Sequence, residues 1–168
     1  MKTPICSFDA KAGILCPKCD ARLRSGHLTK ADVDLSVKLT KLAERFGELN
    51  RLTLVRALQV DGDYVLAVGK GDGTFLRNNA KVVEEIEKEV RGGVWIVEAE
   101  TSDRRMIEEI FYPVRILTVN VVWLPDGSKL TKVIIPSRRG EKLPLDVEKI
   151  KNVAKAVRGI DLLVEVER

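Results

Sequence analysis

The sequence predicts an α+β protein in which a small cysteine-bearing head precedes two copies of a helix–strand–strand–helix–strand unit. Three observations carry the prediction. Cys6, Cys16 and Cys19 are the only cysteines among 168 residues, and all lie near the start. Two Asp-Gly steps, Asp61-Gly62 and Asp126-Gly127, each separate two β-rich runs, a hairpin signal. Val90-Arg91-Gly92 and Val157-Arg158-Gly159, 67 positions apart, each end a helical pattern and lead into a strand rich in Val and Glu. A period this long, met only twice, indicates duplicated domains rather than a solenoid. The expected boundaries are 1–30 for the head, 31–100 for the first unit and 101–168 for the second.

In the head, Cys16-Pro17-Lys18-Cys19 has the spacing at which a tight turn aims both side chains at one zinc ion. Cys6-Ser7-Phe8-Asp9 repeats that step with a carboxylate in second place. Cys6, Asp9, Cys16 and Cys19 are therefore the candidate metal ligands, forming a small zinc ribbon or knuckle. His27, the chain's one histidine, is the rival fourth ligand, eight residues beyond Cys19. A redox pair is the weaker reading, because no thioredoxin-like βαβ pattern surrounds the motif. A zinc deaminase needs a histidine upstream and a proline before the Cys-x-x-Cys pair; here the proline lies inside it. No general acid or base accompanies the motif. The metal is expected to be a structural zinc ion, Zn(2+), lending folding free energy to a head too short to bury much surface.

After the head, Leu35, Leu39, Leu42 and Phe46 fall on one helical face, with Thr29-x-x-Asp32 as an imperfect capping box before them. "TLVRALQV" and "YVLAVG" form the first hairpin, and Val82, Val83, Ile86 and Val90 mark the next helix. The second unit repeats the order. Ser102 caps a helix lined by Met106, Ile107, Ile110 and Phe111; "VRILTVNVVWL" and "KLTKVIIP" pair; Val147, Ile150, Val153 and Val157 face one way. Gly92 and Gly159 read as helix-ending glycines. "GKGDG" at Gly69–Gly73 lacks the spacing and hydroxyl of a phosphate-binding Walker loop and reads as a turn leaving a strand.

The net charge of +4 is unevenly spread. Residues 1–30 carry six Lys/Arg against two Asp/Glu, residues 61–100 five against nine, and residues 101–168 thirteen against ten. The ends are basic and the middle acidic, which suits an anionic partner at the ends. No apolar run approaches the ~20 residues of a membrane span, and the start lacks the apolar stretch of a signal peptide. A cytoplasmic protein without a membrane role is the expectation.

The "GILCPKC" head, the "AVGKGD" strand end, "FYPVRIL" and "VNVVWLPDGS" before a strand ending "IIP", in that order, resemble the archaeal NusA-like proteins. The resemblance covers nearly the whole chain. It implies two KH domains of the prokaryotic topology (α-β-β-α-β), RNA binding, and a role in transcription elongation or termination. A cysteine at the position of Asp9 would complete an ordinary four-cysteine site. The chain departs from the KH pattern where a GxxG loop should approach the RNA backbone. Arg77-Asn78-Asn79-Ala80 holds no glycine in the first unit, and the following helix carries Glu84, Glu85, Glu87 and Glu89. In the second unit "SRRGEK" is basic but also lacks GxxG.

The candidate RNA-binding residues are thus Arg138, Arg139 and Lys142 in that loop, with Lys129 and Lys132 on the adjoining hairpin. Of the aromatics, Trp95 reads as core, and Trp123 at a strand end is the candidate stacking surface. Two functions remain open: a noncatalytic RNA-binding accessory factor, or a protein-interaction module docking on RNA polymerase or the ribosome through degenerate KH domains. An enzyme comes third.

Overall fold

Thr29 starts a sixteen-residue helix by a complete reciprocal cap. Its hydroxyl accepts the Asp32 N–H at 3.1 Å, and Asp32 Oδ2 accepts the Thr29 N–H at 2.8 Å. Asp32 can replace the usual glutamate because its other oxygen accepts the Ala57 N–H at 2.7 Å, so the cap also ties helix to sheet. The structure, a computed structural model, describes residues 1–136 and 145–167. Within it the chain divides into two units, Met1–Glu100 and Thr101–Arg168.

The first unit contains α1 (Ser7–Ala12), α2 (Pro17–Arg24), α3 (Lys30–Arg45), a 3-10 turn (Gly47–Arg51), β1 (Leu54–Val60), β2 (Asp63–Val68), α4 (Asp72–Arg77), α5 (Ala80–Val90) and β3 (Val94–Glu98). β1 pairs antiparallel with β2, and β2 pairs parallel with β3. The β1–β2 turn is Asp61-Gly62, with both residues at positive φ, as a two-residue hairpin loop following the strand twist requires. Leu35, Leu39 and Leu42 of α3 pack with Leu54 and Ala57 of β1, Leu66 and Val68 of β2, and Val82, Ile86 and Val90 of α5. Each fully buried leucine contributes about 1.5–3 kcal/mol.

The second unit contains α6 (Asp103–Phe111), β4 (Thr118–Trp123), β5 (Lys129–Pro136), α7 (Val147–Arg158) and β6 (Leu162–Glu167). Its sheet repeats the first: β4 antiparallel to β5, β5 parallel to β6. Ser102 caps α6 by accepting the Arg105 N–H, and Asp146 caps α7 by accepting the Lys149 N–H, each at 3.2 Å. Met106, Ile107, Ile110, Phe111, Val133, Ile135, Ile150 and Val153 are buried. The structure is a mixed α+β protein with seven α-helices and two three-stranded sheets among the described residues.

Three details differ from the sequence reading. The head is helical instead of a ribbon of strands; the β-structure described within residues 1–30 is a single bridge, Lys2 to Thr53. The turn after β2 continues into the six-residue helix α4, anchored where Asp72 accepts the Thr53 N–H at 2.9 Å and Glu98 accepts the Gly71 N–H at 3.0 Å. Six residues are too few for a periodic signal. Finally, Gly159 ends α7 in the left-handed conformation, as expected, but in α5 that role falls to Arg91 (φ +56). Gly92 serves a different need: a Cβ there would lie 2.7 Å from the Gly62 carbonyl oxygen.

Candidate metal centre

Two short helices present their first turns to a common point. Cys6 is the N-cap of α1 and Asp9 its third residue; Cys16 is the N-cap of α2 and Cys19 its third residue. Position N-cap and the third helical residue lie one turn apart on one side of a helix start, so a two-residue spacing brings both side chains together. Pro17 occupies the first position of α2, where its missing N–H costs nothing and its fixed φ favours the helix. The Cys16 sulfur accepts the Cys19 N–H at 3.5 Å.

Cys6, Asp9, Cys16 and Cys19 offer ligand atoms that all lie within 4.8 Å of one another. A tetrahedron built on Zn–S bonds of ~2.3 Å has edges of about 3.8 Å, so a small contraction closes the set around an ion. Asp9 is only 1% exposed. Its Oδ2 accepts the Cys16 N–H at 2.9 Å, while its Oδ1 is buried and without a hydrogen-bond partner. A buried, unpartnered carboxylate oxygen costs free energy unless something positive meets it. The residues therefore fit a metal ion.

The electrostatics agree. The Cys16 N–H lowers the Asp9 pKa against its burial, and the neighbouring thiols of Cys16, Cys19 and Cys6 take it further, to about 2. Cys19 moves the other way. A main-chain hydrogen bond at Cys6 pulls its thiol down, but burial, Asp9, Cys16 and Cys6 together raise it to about 11. Without a cation, that thiol keeps its proton at neutral pH.

The head is held on the first unit from both sides of this centre. Ile5, Ala10, Cys19 and Leu28 form a small apolar cluster against Val33 and Val37 of α3. His27 is not brought to the ligands: it is exposed, with Nδ1 2.6 Å from the Ser25 hydroxyl. Of the two fourth-ligand candidates, Asp9 joins the sulfurs.

The other sequence-predicted residues are scattered. Arg138, Arg139 and Lys142 lie outside the described residues. Lys129 and Lys132 both sit on β5, but three apart they project from opposite faces of the sheet. Lys129 is exposed, and Lys132 pairs with Glu165 at 3.2 Å. Trp123 is 70% exposed on β4, whereas the half-buried Trp95 donates its Nε1–H to Asp63 Oδ2 at 3.2 Å. Sequence reading did not anticipate that Cys6 and Cys16 would be helix caps. Pro17 directly after Cys16 was the available signal, since proline favours a first helical position.

No family model matches the chain, and no curated protein matches it. Among solved structures, one described as "Crystal structure of APE1850" aligns over 76% of this chain and 96% of its own, at 17% identity and a TM-score of 0.49. No described helix is long and apolar enough to cross a membrane.

Proposed function

We propose that this chain is a noncatalytic RNA-binding accessory factor of the archaeal NusA-like type, acting in transcription elongation or termination. In this reading the head is held by a structural zinc ion and the two later units are KH-type domains. One observation supports it most. The second unit runs helix–strand–strand–helix–strand, the first follows the same order with the six-residue α4 inserted before α5, and both build a sheet whose first pair is antiparallel and second parallel. That order is the one the NusA-like resemblance implies.

Zinc suits the donor set: three sulfurs and one carboxylate oxygen, four ligands and no vacant position for a substrate. The protein's own residues do the rest. Asp9 braces Cys16 through its main-chain N–H, and the start of α2 directs the Cys19 N–H towards the Cys16 sulfur. A metal so enclosed fastens the head and performs no chemistry.

The first unit grips RNA weakly in this account. The α4–α5 link is Asn78-Asn79, neither at positive φ, and the Asn79 amide donates to the Phe75 carbonyl at 2.7 Å. Binding then rests on cations more than on backbone approach, and is tolerant of sequence and sensitive to salt. Filter binding of single-stranded oligoribonucleotides across a salt series tests this. Affinity falling steeply with salt is expected; absence of binding at low salt would end the RNA reading.

The exposed β4 strand favours a second reading, a protein-interaction module. Thr118–Trp123 holds no charged residue, lies at the sheet edge and exposes Val121, Val122 and Trp123. A partner retained through nuclease treatment would point to RNA polymerase or the ribosome as a protein contact.

A further inference from the structure

We propose that a cleft between the head and α3 is a phosphate-binding subsite, engaged by the backbone of single-stranded RNA. The inference deepens the RNA-binding reading and assigns residues that it does not yet use. The cleft has a volume of about 440 Å³, within the range of ligand sites. Its polar lining comes from Lys2 and Thr3 of the N-terminal segment, Ser7 and Lys11 of α1, Thr40 of α3 and Asn50 of the 3-10 turn. The remaining lining residues, Met1, Ile5, Ala10 and Ala43, are apolar, and no carboxylate lines the cleft.

Three features make this an anion site. Both ammonium groups lack an ion-pair partner among the described residues, while the nearby head acids are engaged, Asp9 in the metal centre and Asp20 with Arg24 at 2.8 Å. Among the described residues, the Ser7 and Thr40 hydroxyls and the Asn50 amide make no hydrogen bond, so three neutral donors stand ready beside two cations. Thr3 is different: its hydroxyl already donates to the Ile5 carbonyl at 2.9 Å and can only shape the wall.

The cleft is also pre-formed. The Lys2 N–H donates to the Leu52 carbonyl at 3.1 Å, and the Leu54 N–H donates to the Lys2 carbonyl at 2.8 Å, which fixes the first residues beside β1. Ser7 and Lys11, four apart on α1, share one helix face. Asp9 ties the first turn of that helix to the start of α2 through the Cys16 N–H at 2.9 Å. Two lysines, two hydroxyls and an amide on fixed elements match phosphate oxygens, with lysine serving as a point charge.

The variant Lys2→Gln/Lys11→Gln tests the proposal, with Lys2→Arg/Lys11→Arg as the rescue. Two probes are used: a single-stranded oligoribonucleotide in a salt series, and inorganic tripolyphosphate followed through backbone amide resonances. Wild type is expected to show tripolyphosphate shifts at Thr3, Lys11, Thr40 and Asn50, absent from the glutamine variant and restored by arginine. The glutamine variant should also flatten the oligonucleotide salt slope by about 1.4, from two lost contacts to a single strand. Wild type that binds RNA with a slope unchanged by the variant overturns the cleft and leaves the RNA reading standing. Tripolyphosphate shifts without oligonucleotide binding overturn the RNA assignment and leave a site for a small phosphorylated ligand. No shift at the cleft overturns the site altogether.

Discussion

The main-chain N–H of Cys16 donates to Asp9 Oδ2 at 2.9 Å, joining the cap of one short helix to the first turn of the other. That bond leaves the second carboxylate oxygen buried without a partner, in a residue whose carboxylate lies among three sulfurs. Asp9 is thus a brace placed where it could also be a ligand, a pairing that neither spacing nor residue type alone would require.

Replacing the carboxylate should therefore discriminate ligand from brace. Asp9→Cys is expected to hold metal, since a fourth sulfur completes an ordinary zinc set. Asp9→Ala should lower affinity by more than the roughly 10–100-fold that loss of an outer-shell partner costs. Competition with a chromophoric chelator measures both.

Metal uptake should release protons and strengthen as pH rises. Cys19, held up at about 11, is protonated in the metal-free chain at neutral pH and must lose that proton to bind. Asp9, lowered to about 2, is already charged and contributes none. Calorimetry in buffers of different ionisation enthalpy reads the proton count. The depressed Asp9 pKa has its own sign: in metal-free protein its stabilisation is present above 3.8 and is lost as pH falls towards about 2.

Asp32→Ala should destabilise the first unit by about 2–4 kcal/mol, from loss of the α3 cap and an orphaned Ala57 N–H. Chemical denaturation measures it. A loss below half that range would mean water replaces the carboxylate.

Arg91 and Gly92 should respond in opposite directions. Arg91→Gly relieves a left-handed residue and is expected to stabilise by about 0.5–1 kcal/mol. Gly92→Ala drives a Cβ to 2.7 Å from the Gly62 oxygen and should destabilise, as a shift in thermal midpoint will show.

Trp123→Ala should leave stability within about 0.5 kcal/mol, because the ring is 70% exposed. If the ring stacks on a base, oligoribonucleotide affinity falls by about 1–3 kcal/mol. Unchanged RNA affinity with loss of a protein partner would favour the interaction-module reading.

Sequence revealed the elements whose signals are local. The four- and three-residue steps of Leu35, Leu39 and Leu42, and the Asp-Gly turns, are properties of a few neighbouring residues, and the helices and hairpins sit where those signals place them. The head was legible in its ligands and not in its shape. Helices of six and eight residues leave little periodicity, and Lys2 meets Thr53 across fifty positions of chain. Gly92 illustrates the same limit: its reason is a carbonyl from the hairpin turn thirty residues earlier. The cleft was invisible for that cause as well, since Lys2, Lys11, Thr40 and Asn50 converge only through the fold.

Metal content per chain, measured by elemental analysis on wild type, Asp9→Ala and His27→Ala purified alike, tests the Cys6–Asp9–Cys16–Cys19 centre most directly. About one zinc ion per chain is expected in wild type and in His27→Ala, with marked loss in Asp9→Ala. Full retention in Asp9→Ala, or loss confined to His27→Ala, would contradict the assignment.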